Sequence, residues 1–183
     1  MNKLLRKFNA KNSLLKGVLV LFLIPYLLNF VGCSGCIYSF TGASVPPHLK
    51  SIAIPFADDR SGAGEPMLRE LITQKLTDKF IQDNSLRIAD RSTANAILET
   101  VITGLQDAPA VLVSGETVET RRITISVQVV YRDLVQRKTI FEKQFSNYGD
   151  YSVGGGTVSR NAAITLAIDR ITEDILLDTV SGW

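Results

Sequence analysis

The only two cysteines of the chain stand as Cys33-Ser-Gly-Cys36. That spacing serves a redox pair or one half of a zinc site when other ligands are at hand. A structural zinc ion takes about four ligands, and the only other soft ligand is the single histidine, His48. A thioredoxin-like pair would sit beside a βαβ pattern. Here the cysteines close a hydrophobic segment, so the chemistry to expect of them is that of export.

The first sixteen residues carry Lys3, Arg6, Lys7, Lys11 and Lys16 and no acid, and an apolar run of about a dozen residues follows from Gly17. A membrane span needs about 20 apolar residues, and this run is broken by Pro25, Asn29 and Gly32. A secretory signal peptide over residues 1–32 fits better than an anchor helix. Phe30-Val31-Gly32-Cys33 resembles the lipobox of bacterial lipoproteins, in which the cysteine sulfur takes a diacylglycerol. Cys33 is the expected lipid-attachment residue, with Cys36 as the alternative. Each buried acyl CH₂ contributes about 0.8 kcal/mol, and stable anchoring takes more than one chain.

Removing residues 1–32 removes five of the 20 basic residues and none of the 18 acidic ones, leaving a mature net charge of −3. That excludes a nucleic-acid footprint. Residues 33–48, with Ser, Gly, Thr and Pro46-Pro47, read as an extended tether. Residues 49–183 are enough for one domain, with no repeat or low-complexity tract.

Ile52, Ile54 and Phe56 alternate, predicting a strand over Leu49–Phe56. Asp58-Asp59 opens a loop, where an acid pair is more often solvated than catalytic. Pro66 suits the first position of a helix whose apolar stripe is Leu68, Leu71, Ile72, Leu76 and Phe80. Leu86 and Ile88 mark a short strand. Ala94–Leu105 is ambiguous, and Val101, Ile102 and Thr103 favour strand; Gln106–Thr117 reads as a loop. Ile123, Ile125, Val127, Val129 and Tyr131 alternate with polar residues over Arg121–Tyr131, predicting a long strand. Thr139–Tyr148 answers it through a hairpin at Asp133–Arg137, with Ile125, Val129, Phe141 and Phe145 on the core side. A final helix over Ser159–Asp178 carries Ile164, Ile168, Ile171 and Ile175, with Thr157 or Ser159 as its N-cap. The order β-α-β-β-β-β-α predicts an α+β two-layer sandwich: a mostly antiparallel sheet of about four to five strands with two amphipathic helices on one face.

No catalytic or metal-ligating set emerges. Gly154-Gly155-Gly156-Thr157 lacks the ending of a phosphate-binding loop, and His48 has no evident partner for general-base work. No enzyme activity and no cofactor are expected. Among basic residues, Arg122 and Arg132 lie roughly 33 Å apart along one strand at about 3.3 Å per residue. Arg132, Arg137 and Lys138 alone can gather, at the hairpin tip, as an anion-binding candidate or as an ordinary solvated turn. With a turn centred near Val135, Arg132 would face Lys138 directly. The other hairpin face, with Thr124, Ser126, Gln128, Glu142, Gln144 and Ser146, is polar and almost uncharged, which suits a wet protein contact or a plain exposed face.

The run from Cys36 to Phe56, above all Tyr38-Ser-Phe-Thr-Gly and the strand Lys50–Phe56, resembles the mature start of LptE-like lipopolysaccharide-assembly lipoproteins, and the order of elements agrees with theirs. The resemblance implies a non-enzymatic, lipid-anchored protein on the periplasmic side of the outer membrane, plugging and helping to assemble the LptD-type β-barrel and binding lipopolysaccharide. The alternative is another periplasm-facing lipoprotein adaptor, a secretion-pore component or an activator of a cell-wall enzyme. The candidates Arg132, Arg137 and Lys138 stand on charge and turn geometry alone, not on the resemblance.

Overall fold

The computed structural model describes residues 45–110 and 120–181; both cysteines and the Tyr38–Gly42 motif lie outside them. The elements in order are β1 (Ser51–Ala53), β2 (Asp58–Asp59), α1 (Leu68–Asp83), β3 (Arg87–Ile88), β4 (Ala96–Pro109), β5 (Thr120–Asp133), β6 (Lys138–Ser152), a 3₁₀ turn at Val153–Gly155, and α2 (Gly156–Ser181). They form one sheet of order β3-β1-β4-β5-β6, with β2 also paired to β4, under two helices. The expected α+β two-layer architecture is what the chain adopts.

The sheet is built around β5. Ile123, Ile125, Val127, Val129 and Tyr131 are all fully buried, while Thr124, Ser126, Gln128 and Val130 between them stay partly exposed. Strand alternation sends the first set to the helices. β5 pairs antiparallel with both β4 and β6, Val129 lying between Thr100 and Lys143 and Tyr131 opposite Phe141. Phe141 and Phe145 pack on the core as anticipated. β1, β2 and β3 pair in parallel but contribute only two residue pairs per contact, so the sheet is mainly antiparallel.

Several expectations change. The strand predicted over Leu49–Phe56 is split, because Pro55 has no N–H for the ladder; the chain rejoins β4 at Asp58–Asp59, opposite Val101 and Ile102. Asp58-Asp59 is therefore a short strand and not a loop. Phe56 is 57% exposed, with the Arg69 guanidinium 4.9 Å from its ring centroid. Pro66 lies in the turn before α1, and β4 continues to Pro109 through a bulge between Ile102 and Gly104. Ser159 lies within α2 and its hydroxyl donates to the Ser152 and Gly156 carbonyls, so it does not act as the N-cap.

α1 buries Leu68, Ile72, Leu76 and Phe80, one residue per turn. It ends at Asn84 in the left-handed region (φ 58°), whose N–H donates to the Phe80 carbonyl. α2 buries Ile164, Ile168, Ile171 and Ile175 along with Ala163 and Ala167. Lys75 reaches Asp169 at 3.2 Å and Lys79 reaches Glu173 at 2.5 Å. These rungs, four residues apart on each helix, rise together, so α1 and α2 run parallel. β6 and α2 approach closely at Gly149, where a Cβ would stand 2.1 Å from the Ala163 carbonyl oxygen.

That contact gives a direct test of the packing. Gly149→Ala should lower the unfolding free energy by about 1–3 kcal/mol, the usual cost of overpacking. Gly104→Ala has open space around its Cβ and should change stability by less than about 0.5 kcal/mol. Urea denaturation of the two variants beside the parent chain measures both.

Candidate functional site

The directions of the elements sort the domain into two ends. β5 ends, β6 begins and α2 finishes at the hairpin end, where His48 and the start of β1 also lie. The Gly62–Gly64 loop, the ends of β4 and β6 and the start of α2 occupy the opposite end.

The hairpin end is organised by Asp133, the last residue of the inner row of β5 and only 4% exposed. One carboxylate oxygen accepts the backbone N–H groups of Val135 and Gln136, at 2.7 and 2.8 Å, and so shapes the turn. The other lies 2.6 Å from Nε2 of His48. Burial pushes the Asp133 carboxyl up, but the N–H of Gln136, the imidazole of His48 and the N–H of Val135 together hold it below the usual carboxylate range. Burial, with the negative charge of Asp133 adding to it, pushes the neighbouring Tyr131 phenol above its ordinary value. The node is reinforced by Asn95, whose side-chain oxygen accepts from the Lys50 N–H and the Ser51 hydroxyl and whose carbonyl accepts from the Leu134 N–H.

His48 thus has the oriented partner that its sequence context did not reveal. Both oxygens of that partner are committed to shaping the turn and holding the N-terminal segment, so the pair acts as a clamp. Among the described residues no cluster of His, Cys, Asp or Glu could hold a metal ion.

Of the anion-binding candidates, the structure keeps two together and draws the third away. The hairpin register sets Arg132 opposite Thr139 and Asp133 opposite Lys138, so Arg132 does not face Lys138. The reason is the turn: four residues, Leu134 to Arg137, lie between the paired Asp133 and Lys138, so its centre falls between Val135 and Gln136 and not at Val135. Arg132 instead makes an ion pair with Glu99 on β4, which Arg91 also approaches at 3.4 Å. Arg137 and Lys138 are exposed at the tip beside exposed Leu134 and Val135. Neither cation enters an ion pair among the described residues. Arg137 has φ 55°, a left-handed conformation that glycine or asparagine adopts most readily.

The opposite end holds a second polar cluster. Asp107 accepts from Arg121 at 2.8 Å and from the Tyr151 hydroxyl at 2.9 Å. Arg160 stands 3.7 Å from it and bonds Glu65 at 2.8 Å. Burial pushes the Asp107 carboxyl up, yet the Tyr151 and Arg121 hydrogen bonds and the charges of Arg121 and Arg160 bring it down on balance. These contacts tie β4, β5, β6, α2 and the lead into α1 together. They leave Arg121 bound within the fold.

The sheet face away from the helices carries the polar, almost uncharged row expected of it. Ser126 meets Ser146 at 3.1 Å and Gln128 donates to Glu142 at 3.1 Å. Toward the distal end Arg122 grips both oxygens of Asp150 at 2.7 and 2.9 Å and covers the ring of Tyr148 at 3.7 Å.

An antiparallel sheet under two parallel helices places the chain in a fold shared with several solved bacterial proteins. Protein XCC0632 from Xanthomonas campestris superposes with a TM-score of 0.56 at 10% identity, over 76% of this chain and 94% of that one. The hypothetical protein CT253 from Chlamydia trachomatis gives 0.51 at 13% identity, over 70% and 94%. At such identities the likeness establishes the fold alone. No curated protein matches the chain. Residues 49–179 match the family model LptE, described as lipopolysaccharide-assembly, and the chain belongs to that family. It is a lipopolysaccharide-assembly lipoprotein of the cell envelope, in a family that is not enzymatic.

The clamp is testable through pH. A carboxyl held low in the folded state contributes stability above its unfolded value, and loses it as pH falls through the folded one. At neutral pH Asp133→Ala should cost about 1–3 kcal/mol, from an unpaired imidazole and two turn N–H groups left without their acceptor. The gap between parent and variant should narrow below about pH 4, the unfolded aspartate range. Chemical denaturation from pH 7 down to pH 3 measures the gap.

Proposed function

We propose that the protein is an outer-membrane, lipid-anchored subunit of the lipopolysaccharide translocon, attached through Cys33 or, as the alternative, Cys36. It sits within the LptD-type β-barrel on its periplasmic side, assists the barrel's assembly and contacts lipopolysaccharide. Membership of the LptE family over 49–179 carries this reading. The export-type N-terminus and the lipobox-like Phe30–Cys33 support the anchor.

The sheet face without helices is the surface we assign to the barrel wall. Its middle carries one carboxylate, Glu142, and its side chains already bond one another across strands, so covering it strands few charges and few polar groups. The hairpin tip is the surface we assign to lipopolysaccharide. Arg137 and Lys138 offer two cations for phosphate, and Arg132 could join only by exchanging its bond to Glu99. The left-handed Arg137 supports this assignment. A non-glycine residue there costs of order 1–3 kcal/mol, and a cation kept at such a position suits a ligand contact better than it suits the turn.

The last point yields a test with two readouts of opposite sign. Arg137→Gly should leave the unfolding free energy unchanged or raise it by up to about 1 kcal/mol, while weakening lipopolysaccharide binding. Arg137→Ala with Lys138→Ala should weaken binding further, and Arg60→Ala, bonded beside the middle of β4 and away from the tip, should not. Equal lipopolysaccharide capture by parent and tip variants would remove the tip from the mechanism. For the barrel, the protein should co-purify with a large outer-membrane β-barrel from gently solubilised membranes; recovery as a free monomer would contradict the assignment.

A further inference from the structure

At the end of the domain to which the chain's N-terminal segment is clamped, apolar and cationic side chains are exposed side by side in one turn. His48 is held to Asp133, and Asp133 holds the turn that presents Leu134, Val135, Arg137 and Lys138. Leu49 closes a turn onto Pro46 through its N–H, which keeps Val45 near the same end.

Chain length adds a constraint. Twelve residues lead from Cys33 to Val45, and at most about 3.3–3.6 Å per residue limits them to roughly 40 Å. β5, which runs the length of the sheet with 14 residues, spans roughly 46 Å at about 3.3 Å per residue. A fully extended tether is no longer than the sheet. The Gly62–Gly64 loop and the start of α2 could meet the anchoring leaflet only by laying the whole tether along the domain. The hairpin end meets it with slack to spare, and anchoring at Cys36 would tighten the constraint.

We infer that the hairpin tip is the face this domain turns toward the lipid surface that holds its own anchor. Leu134 and Val135 enter the interfacial layer, and Arg137 and Lys138 meet headgroup phosphates. Where no lipopolysaccharide is bound, the occupant is the anionic phospholipid of the anchoring leaflet. Cations unpaired within the fold fit it by charge, and two exposed apolar residues between the paired strand ends fit the shallow depth of about 5–10 Å typical of interfacial contacts. The clamp makes the orientation a property of the fold, since the segment arriving from the membrane and the tip are bonded to the same carboxylate. The inference rests on the anchored-lipoprotein reading, and does not require the barrel or lipopolysaccharide.

The test uses the full acylated chain in vesicles of phosphatidylethanolamine and phosphatidylglycerol, part of the lipid brominated, free of lipopolysaccharide. Tryptophan probes are placed by Val135→Trp at the tip and Gly154→Trp at the far end, each with Trp183→Phe. The chain should float with the vesicles, and the tip probe should be quenched at least roughly twofold more than the distal probe, as a depth within the interface requires. Arg137→Glu with Lys138→Glu should bring the tip probe down to the distal level, since each cation near an anionic surface is worth roughly fivefold in partition. A chain that floats with both probes quenched alike overturns the orientation and leaves the anchor standing. A chain that does not float overturns the anchor and the orientation with it. Tip quenching that appears only after lipopolysaccharide is added overturns the phospholipid assignment in favour of the lipopolysaccharide contact.

Discussion

The structure depends on the inner row of β5. Five alternate residues, Ile123, Ile125, Val127, Val129 and Tyr131, are fully buried beneath the helices, and that row fixes which parity of β5 faces inward against β4 and β6. A slip by one residue would expose all of them and bury Thr124, Ser126 and Gln128. Everything with a possible function is placed by this constraint. The polar outer face is the other half of the same alternation. The next inward position along the row is Asp133, where the apolar row gives way to a carboxylate at the mouth of the core.

Asp133 converts that position into an organising contact. Two backbone donors and an imidazole give its charge the partners that a buried carboxylate needs. The end of β5 and the hairpin turn that follows it are then fixed to a distant piece of chain, the segment before β1. The tip cations and the N-terminal approach share one end for this reason. The opposite end has its own carboxylate, Asp107, with Arg121, Tyr151 and Arg160. That cluster joins strands and helix and leaves its arginine engaged, which separates a structural use of basic residues from the open pair at the tip.

What the sequence makes legible is what repeats along it. The alternation of β5, the stripe of α1 and the isoleucines of α2 specify a two-layer α+β fold, and the hairpin between β5 and β6 follows from parity. What it hides are contacts between distant residues and single-residue shifts. His48 and Asp133 are 85 positions apart, so the histidine looks unpartnered beside its prolines. The turn between Asp133 and Lys138 holds four residues, which sets Arg132 opposite Thr139 and not Lys138, and no periodicity announces it. Pro55 could have warned that the first strand breaks, but the alternation of Ile52, Ile54 and Phe56 outweighs it on paper. Gly149 reads as an ordinary strand weakness until the close approach of α2 explains it.

The central claim is that the two exposed regions, sheet face and hairpin tip, meet different partners: protein on the face and phosphate-bearing lipid at the tip. Photo-crosslinking in living cells tests it most directly, with the reactive side chain placed at Gln128 on the open face or at Val135 at the tip. The Gln128 probe should form an adduct with a large outer-membrane β-barrel and the Val135 probe should form lipid adducts. Lipid adducts from Gln128 with none to the barrel, or barrel adducts from Val135 with none to lipid, would contradict it.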